Sequence, residues 1–315
     1  MSKVSVIIPT YNCVKYVAKA INSVLEQTYK DYEIVIVDDG SSDDTKKVIE
    51  PYLIQNNVRY IYQENRGLAA ARNTAIRNSK GKYIALLDAD DYWSPIKLEK
   101  QVSVFEMKPE VEFIHSNMYL FDEHKESRAQ KYSMNIDYNK LTPKALFKKI
   151  LFWEADVFVT TAIIKKTVFD KIGYFDENLS YLGCEDREFW LRLVQKCKTF
   201  FLNDYLAYYM VRSNSMTKDK NKMQRAREYV IEKTVKDTEI FKNKKRIKQV
   251  IYSNLYFRYG LDYFRARRRN EALRNLLISL KYNIFNLKSY VYIFLLFLPF
   301  KFVKFIKNLY NFALT

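Results

Sequence analysis

Residues 83–95 read YIALLDADDYWSP. Five mostly aliphatic residues, Tyr83 to Leu87, run straight into Asp88-Ala89-Asp90-Asp91. The apolar run has the composition of a buried strand. Three carboxylates within four positions repel one another and need a partner. If the chain stays extended, Asp88 and Asp90 share one face and Asp91 takes the other. Two carboxylates on one face, at the open edge of a sheet, suit a hard divalent cation such as Mg²⁺ or Mn²⁺. Such an ion takes one or two protein carboxylates and completes its shell with water and phosphate oxygens. The plainer alternative is that the aspartates end the strand and lead into a helix, for which Ser94 and Pro95 offer an N-cap and an N1 proline. Asp91 fits that turn.

Upstream, the same arrangement recurs. KVSVII (residues 3–8) reads as a strand ended by Pro9-Thr10-Tyr11-Asn12, with helical spacing of apolar residues at 14, 17, 21, 24 and 25 after it. YEIVIV leads to Asp38-Asp39-Gly40 and a helix for which Asp43 or Asp44 is the expected N-cap. VRYIYQE is a third strand and GLAAARNTAIRNS a helix. Strand and helix alternate over short links. The strands are continuous apolar runs, as in a sheet buried on both faces. The expected fold class is therefore α/β, Rossmann-like and doubly wound around a mainly parallel central sheet. Ligands of such sheets bind outside the carboxyl ends of the strands, which is where all three polar clusters fall. Further on, VEFIHSNMYLF and TFFLNDYLAYYMV read as strands and EDREFWLRLVQKC as a helix with Asp186, Trp190, Leu193 and Cys197 on one face. From about residue 216 the pattern is helical.

Taken together, five segments resemble the inverting glycosyltransferases of the GT-A type, family 2. They are VSVIIPTYN, EIVIVDDGSSDDT, ENRGLAAARNTAI, KYIALLDADDYW and GCEDREFWLR, and the resemblance covers roughly residues 4–217. It implies a GT-A domain over residues 1–215, with a nucleotide-binding half (1–109) and an acceptor half (110–215), and then a helical region over 216–315. It implies a nucleotide-diphospho-sugar donor, UDP- or dTDP-type, and transfer to an acceptor hydroxyl with inversion. Tyr11, after Pro9 and Thr10, would pack on the base and Asp39 would accept a hydrogen bond from it. Arg72 would lie near the phosphates. Asp90 would ligate Mn²⁺ or Mg²⁺, with Asp88 at the ribose or a metal-bound water. Asp186 would be the general base, Glu185 would position the acceptor or loop, and Trp190 would stand on the acceptor side. The chain departs from the family near YYMVRSNSMT: Met210 stands in place of an Arg, and Arg212 in place of a His. An Arg donates only and ligates no metal, so Arg212 would instead pair with the diphosphate. His115 and His124 read as structural.

Charge divides the chain of 315 residues. The net of +17 is concentrated in residues 241–315, which hold 16 Lys/Arg against two Asp/Glu, a net of +14 that leaves +3 for the rest. That asymmetry points to an anionic surface as partner, either membrane or nucleic acid, and the membrane, with no nucleic acid, is the expected one. The resemblance implies a saccharide or lipid-linked saccharide as acceptor. The apolar run from Tyr290 to Phe300 is too short to span a bilayer. With Lys301, Lys304 and Lys307 after it, it reads as an interfacial amphipathic helix. One helical hairpin, with Gly260, Ala272 and Asn286 at its close positions, is expected over residues 255–286. Cys13, Cys184 and Cys197 show neither metal-type spacing nor an even framework, which points to free thiols in a reducing compartment. The N-terminus carries no signal-peptide pattern. The expected location is cytoplasmic, peripheral on the inner face of the membrane. Two competing functions are a catalytically inactive nucleotide-sugar binder and a nucleic-acid-binding protein. No G-x-G-x-x-G follows the first strand, which argues against a dinucleotide oxidoreductase.

Overall fold

The computed structural model describes residues 3–122, 129–212 and 219–298. His124, residues 213–217 of the YYMVRSNSMT segment, and Lys301, Lys304 and Lys307 of the expected interfacial helix lie outside them. By internal packing the chain divides into two compact units, residues 1–230 and 231–315.

The first unit is built on one mixed sheet. Its strands are β1 (Val4–Thr10), β2 (Tyr32–Asp38), β3 (Val58–Tyr62), β4 (Tyr83–Leu86), β5 (Tyr92–Trp93), β6 (Phe113–Asp122), β7 (Gln130–Tyr132), β8 (Ile163–Lys165) and β9 (Thr199–Val211). They run in the order β3-β2-β1-β4-β8-β6-β9-β5, with β7 paired to β6. The β3-β2-β1-β4 half is parallel throughout, and β6 and β9 are parallel to each other. Strand β8 is the antiparallel hinge between the halves. Every residue of β1, β2 and β4 is buried, as their unbroken apolar sequences require of a sheet covered on both faces. Its cover includes α1 (Val17–Leu25), α2 (Thr45–Ile49), α3 (Leu68–Asn78), α4 (Lys97–Met107), α5 (Pro143–Leu151), α6 (Thr167–Ile172) and α7 (Glu185–Lys196).

Two local expectations change. The chain is not extended through Asp88–Asp91: β4 ends at Leu86, and the amide of Asp91 donates to the carbonyl of Asp88 (3.0 Å), closing a turn. Helix α4 begins at Lys97 with Ile96 as N-cap, two residues beyond the expected Ser94-Pro95 start. Those two residues are used otherwise: their carbonyls accept from the Gln27 amide nitrogen (2.8 Å) and the Thr28 backbone N–H (2.8 Å).

Helix α8 (Lys220–Asp237) crosses the boundary between units. Its first half belongs to the sheet unit through Tyr229, whose hydroxyl donates to Asp176 (2.8 Å). The second unit adds α9 (Lys244–Arg265), α10 (Arg269–Tyr282) and α11 (Leu287–Phe297). The expected hairpin is α9–α10. A Cβ on Gly260 would come within 2.7 Å of Leu276 Cγ, so only glycine lets the two helices approach this closely. Phe264, Ala272, Leu276, Tyr292, Leu295 and Leu296 form the core of this unit. Among the described residues no helix is long and apolar enough to cross a membrane.

Candidate active site

The carboxyl ends of β1, β2 and β4 bring three loops together. Tyr11 follows β1 and is half exposed, with its backbone turning at Asn12 (φ 51°). Asn12 laces this loop to the next: its amide donates to the Ser41 hydroxyl (2.9 Å) and its side-chain oxygen accepts from the Ser42 amide (2.8 Å). Pro9 and Thr10 are the buried end of β1. Asp39, also buried, accepts from Gln63 Nε2 (2.6 Å) and from the backbone amides of Arg66 (2.9 Å) and Gly67 (2.8 Å). Gly67 is the N-cap of α3 at φ 83°. Asp39 thus clamps the entry to α3. A carboxylate has about four acceptor positions, so one is left for an incoming donor.

The turn after β4 answers the crowding of its carboxylates with one partner for each. Asp88 Oδ1 accepts from Arg72 NH2 (2.6 Å), Asp90 Oδ2 pairs with Arg212 NH2 (2.6 Å), and Asp91 Oδ1 accepts from the backbone amide of Met210 (2.9 Å). The last two partners come from the end of β9. They reach the turn because β5 pairs antiparallel with β9, Tyr92 opposite Tyr208 and Trp93 opposite Ala207. Burial raises the Asp90 pKa, with Arg212 opposing and Asp88 adding to the rise. Asp91 is raised well above the ordinary range, by burial first and then by Asp90 and Asp88.

Arg72 does not face an open phosphate position. It is 1% exposed, and its second terminal nitrogen donates to Glu185 Oε1 (2.5 Å), so one guanidinium bridges the turn after β4 to the start of α7. Helix α7 is launched by Gly183 (φ 91°) and Cys184 (φ 63°), both left-handed, which turn Glu185 and Asp186 onto its first two positions. Free backbone amides and the positive end of the helix dipole favour carboxylates there. Asp186 Oδ1 accepts from the Arg187 amide (2.6 Å). Asp186 is only partly buried. Burial, then the charge of Glu185, push its pKa up to about 7, against the opposing pull of Arg72. A carboxyl whose pKa lies near neutral pH is suited to moving a proton.

Trp190, expected on the acceptor side, is instead a core residue. It is 1% exposed and stacks on Phe113 (centroids 5.0 Å apart) and edge-on to Phe189 (5.4 Å). It lies one helical turn beyond Asp186 on α7, where that face is buried in the core. The sequence reading missed the loop that does flank Asp186. Arg187 pairs with Asp156, donates to the carbonyl of Ile150 (2.6 Å) and lies over the ring of Trp153 (5.0 Å). Trp153 has φ 57°. Its only trace in the sequence is FWEAD, an aromatic and acidic stretch without helical or strand period.

A divalent cation at this turn would need hard oxygen donors. Among the described residues no group of three or more His, Cys, Asp or Glu gathers around one point. Asp88 and Asp90 still supply hard oxygen donors, and Mg²⁺ or Mn²⁺ needs only one or two when phosphate and water complete the shell. The side chains therefore fit a cation that arrives with a diphosphate.

A family profile described as "Glycosyl transferase family 2" matches residues 5–173. An uncharacterised glycosyltransferase of Methanocaldococcus jannaschii is 31% identical over 268 residues, covering 82% of this chain and 86% of its own. The E. coli UDP-Glc:alpha-D-GlcNAc-diphosphoundecaprenol beta-1,3-glucosyltransferase WfaP is 33% identical over 226 residues, 70% of this chain and 82% of its own. An uncharacterised glycosyltransferase of Rickettsia prowazekii is 33% identical over 204 residues, and the match spans 64% of this chain and 62% of that relative's length. Among solved structures, S. aureus TarS 1–349 in complex with UDP-GlcNAc aligns with a TM-score of 0.67 at 20% identity, covering 89% of this chain and 81% of that one. The mannosyltransferase PcManGT of Pyrobaculum calidifontis, in complex with GDP-Man and Mn²⁺, aligns with a TM-score of 0.58 at 17% identity over 99% and 88%. The profile, the relatives and the shared architecture agree: the chain belongs to glycosyl transferase family 2 and has the GT-A fold.

Proposed function

We propose that the protein transfers a sugar from a nucleotide-diphospho-sugar, UDP- or dTDP-type, to a hydroxyl of a saccharide or lipid-linked saccharide acceptor, with inversion. The observation that carries this reading is Arg72, which ties Asp88 to Glu185 and so holds the turn after β4 beside Asp186. WfaP, whose name gives a UDP-sugar donor and a diphosphoundecaprenol-linked acceptor, supports the substrate class.

In this reading Tyr11 offers an aromatic face to the base and Asp39 its remaining acceptor position to a ring N–H. Asp186 takes the proton from the acceptor hydroxyl as that oxygen forms its bond to the anomeric carbon. The bond from that carbon to the diphosphate breaks on the opposite side, and the nucleoside diphosphate leaves with the electron pair. Glu185 and Arg72 hold Asp186 in place and set its charge. Arg212 turns from Asp90 to the departing diphosphate. Mn²⁺ or Mg²⁺, held by Asp90 with Asp88 beside it, would neutralise charge on that leaving group. The basic C-terminal region binds an anionic membrane surface, where a lipid-linked acceptor resides.

A thermal-shift screen of nucleotide-sugars, with and without Mn²⁺, tests the donor assignment, because a ligand that binds only the folded state raises its melting temperature. A UDP- or dTDP-sugar should stabilise, more so with the cation, and D186N should keep that shift while losing transfer. Stabilisation by none of these donors, or full transfer by D186N, would overturn the assignment.

A further inference from the structure

Helix α11 is apolar on both sides. Ser289, Tyr292, Leu295 and Leu296 face inward, while Leu287, Tyr290, Val291, Phe294 and Phe297 face outward at helical spacing. The outward side is far from marginally exposed: Leu287 and Phe297 are each 74% exposed and Phe294 is 64%. The turn before the helix adds Ile284 and Phe285, the latter 84% exposed. Seven large apolar side chains within residues 284–297 are thus exposed. Soluble proteins rarely leave such a patch open without a use for it.

This rotation of the helix is fixed by specific contacts. The Ser279 hydroxyl donates to the carbonyl of Ser253 (2.8 Å) and bonds the hydroxyl of Ser289 (2.9 Å). The Asn286 side chain donates to the hydroxyls of both Ser253 (3.1 Å) and Ser279 (3.0 Å). The ring of Tyr292 is wedged edge-on against Phe257 (5.6 Å) and Phe264 (5.3 Å). A buried polar seam across α9, α10 and α11 holds one register, since turning α11 would strand its hydroxyls. The outward apolar face follows from that seam.

We infer that this face inserts into the interfacial region of an anionic bilayer. The inference rests on the membrane reading of the basic region proposed above and names the surface that does the inserting. Charge decides the occupant. The only charged residues in 281–298 are Lys281 and Lys288, and residues 241–315 carry the net of +14. An apolar face within so basic a region matches anionic headgroups above acyl chains. At about 16 Å the helix is too short to span and long enough to lie flat.

Vesicle flotation of the full chain tests this and needs neither donor nor acceptor, so its failure is separable from failure of the transferase reading. The wild type should float with phosphatidylglycerol-containing vesicles and much less with phosphatidylcholine alone. The F285S/F294S double variant should partition at least about tenfold less, with an unchanged melting temperature because both side chains are exposed. A Phe294→Trp variant should gain fluorescence quenching by brominated lipid relative to wild type, which decides the matter if the double variant misfolds. Three outcomes would overturn the inference: no flotation of the wild type, equal flotation of the folded double variant, or a wild-type dimer that the double variant dissociates, which would assign the face to a second copy.

Discussion

Arg212 NH2 lies 2.6 Å from Asp90 Oδ2, so the carboxylate best suited to a cation is held by a cation of the protein's own. Arg212 also stacks over the ring of Tyr16 (5.2 Å), which steadies it there. In the proposed mechanism a divalent cation and Arg212 would compete for this one carboxylate. Arg212→Ala should therefore bind Mn²⁺ about tenfold more tightly in the absence of donor, by calorimetric titration, yet transfer sugar at least about tenfold more slowly because the leaving diphosphate loses a charged partner. Weaker or unchanged Mn²⁺ binding by the variant would remove the competition.

In the proposed mechanism Asp186, as the general base, carries the pH dependence. Its pKa is pushed up to about 7, and a general base works only when deprotonated. The rate at low substrate should climb as pH rises through about 7 and level off above it. D186N should fall by about 10²–10⁴ at the plateau, the range general-base catalysis supplies. A flat profile from pH 5.5 to 8 in the wild type would assign the proton to another group.

How far the sequence reached is visible at particular residues. Strands β1, β2 and β4 were legible because a strand buried on both faces is an unbroken apolar run, and the polar cluster at its end marks the sheet edge. The pairing of Asp90 with Arg212 was not, because it depends on the register of β5 on β9, more than 100 residues apart in the chain. The resemblance put Arg72 near the phosphates, and its neighbours in ARN show nothing of the two carboxylates that enclose it. Trp190 lies in the core for a geometric reason: helical spacing puts it on the side of Asp186 but says nothing of how deeply each turn of α7 is buried.

Arg72 is the most exacting of these. It is 1% exposed between Asp88 and Glu185, so Arg72→Met leaves two carboxylates facing each other without their charge partner. Removing one member of a buried ion network costs about 3–5 kcal/mol, or about 10 °C in melting temperature for a unit of this size. Arg72→Lys should recover little of it, because one ammonium does not span both partners. If enough Arg72→Met protein folds for assay, the rising limb of its pH–rate profile should move to higher pH, because Arg72 holds the Asp186 pKa down. An Arg72→Met protein with wild-type stability would show that the bridge contributes nothing to the fold.

His115 provides a test of the fold that is independent of activity. It is buried among Phe113, Tyr138 and Phe201, with centroids 5.5, 4.7 and 5.0 Å away, and burial drives its pKa down to about 3. Unfolded, it titrates near 6.5. Between these values the unfolded chain binds a proton that the folded chain does not. Its contribution to stability is therefore complete above about pH 6.5 and is lost as pH falls, by about 1.4 kcal/mol per unit. Asp186 acts in the opposite sense over much of the same window, because its raised pKa makes the folded state bind a proton first. The wild-type curve mixes the two, and subtracting that of His115→Leu isolates the histidine. In urea unfolding at pH 7 and pH 5, the variant's stability relative to wild type should improve by about 2 kcal/mol on acidification, whatever fixed packing difference the leucine introduces. A difference that stays constant across that interval would mean that His115 takes up its proton within the folded core.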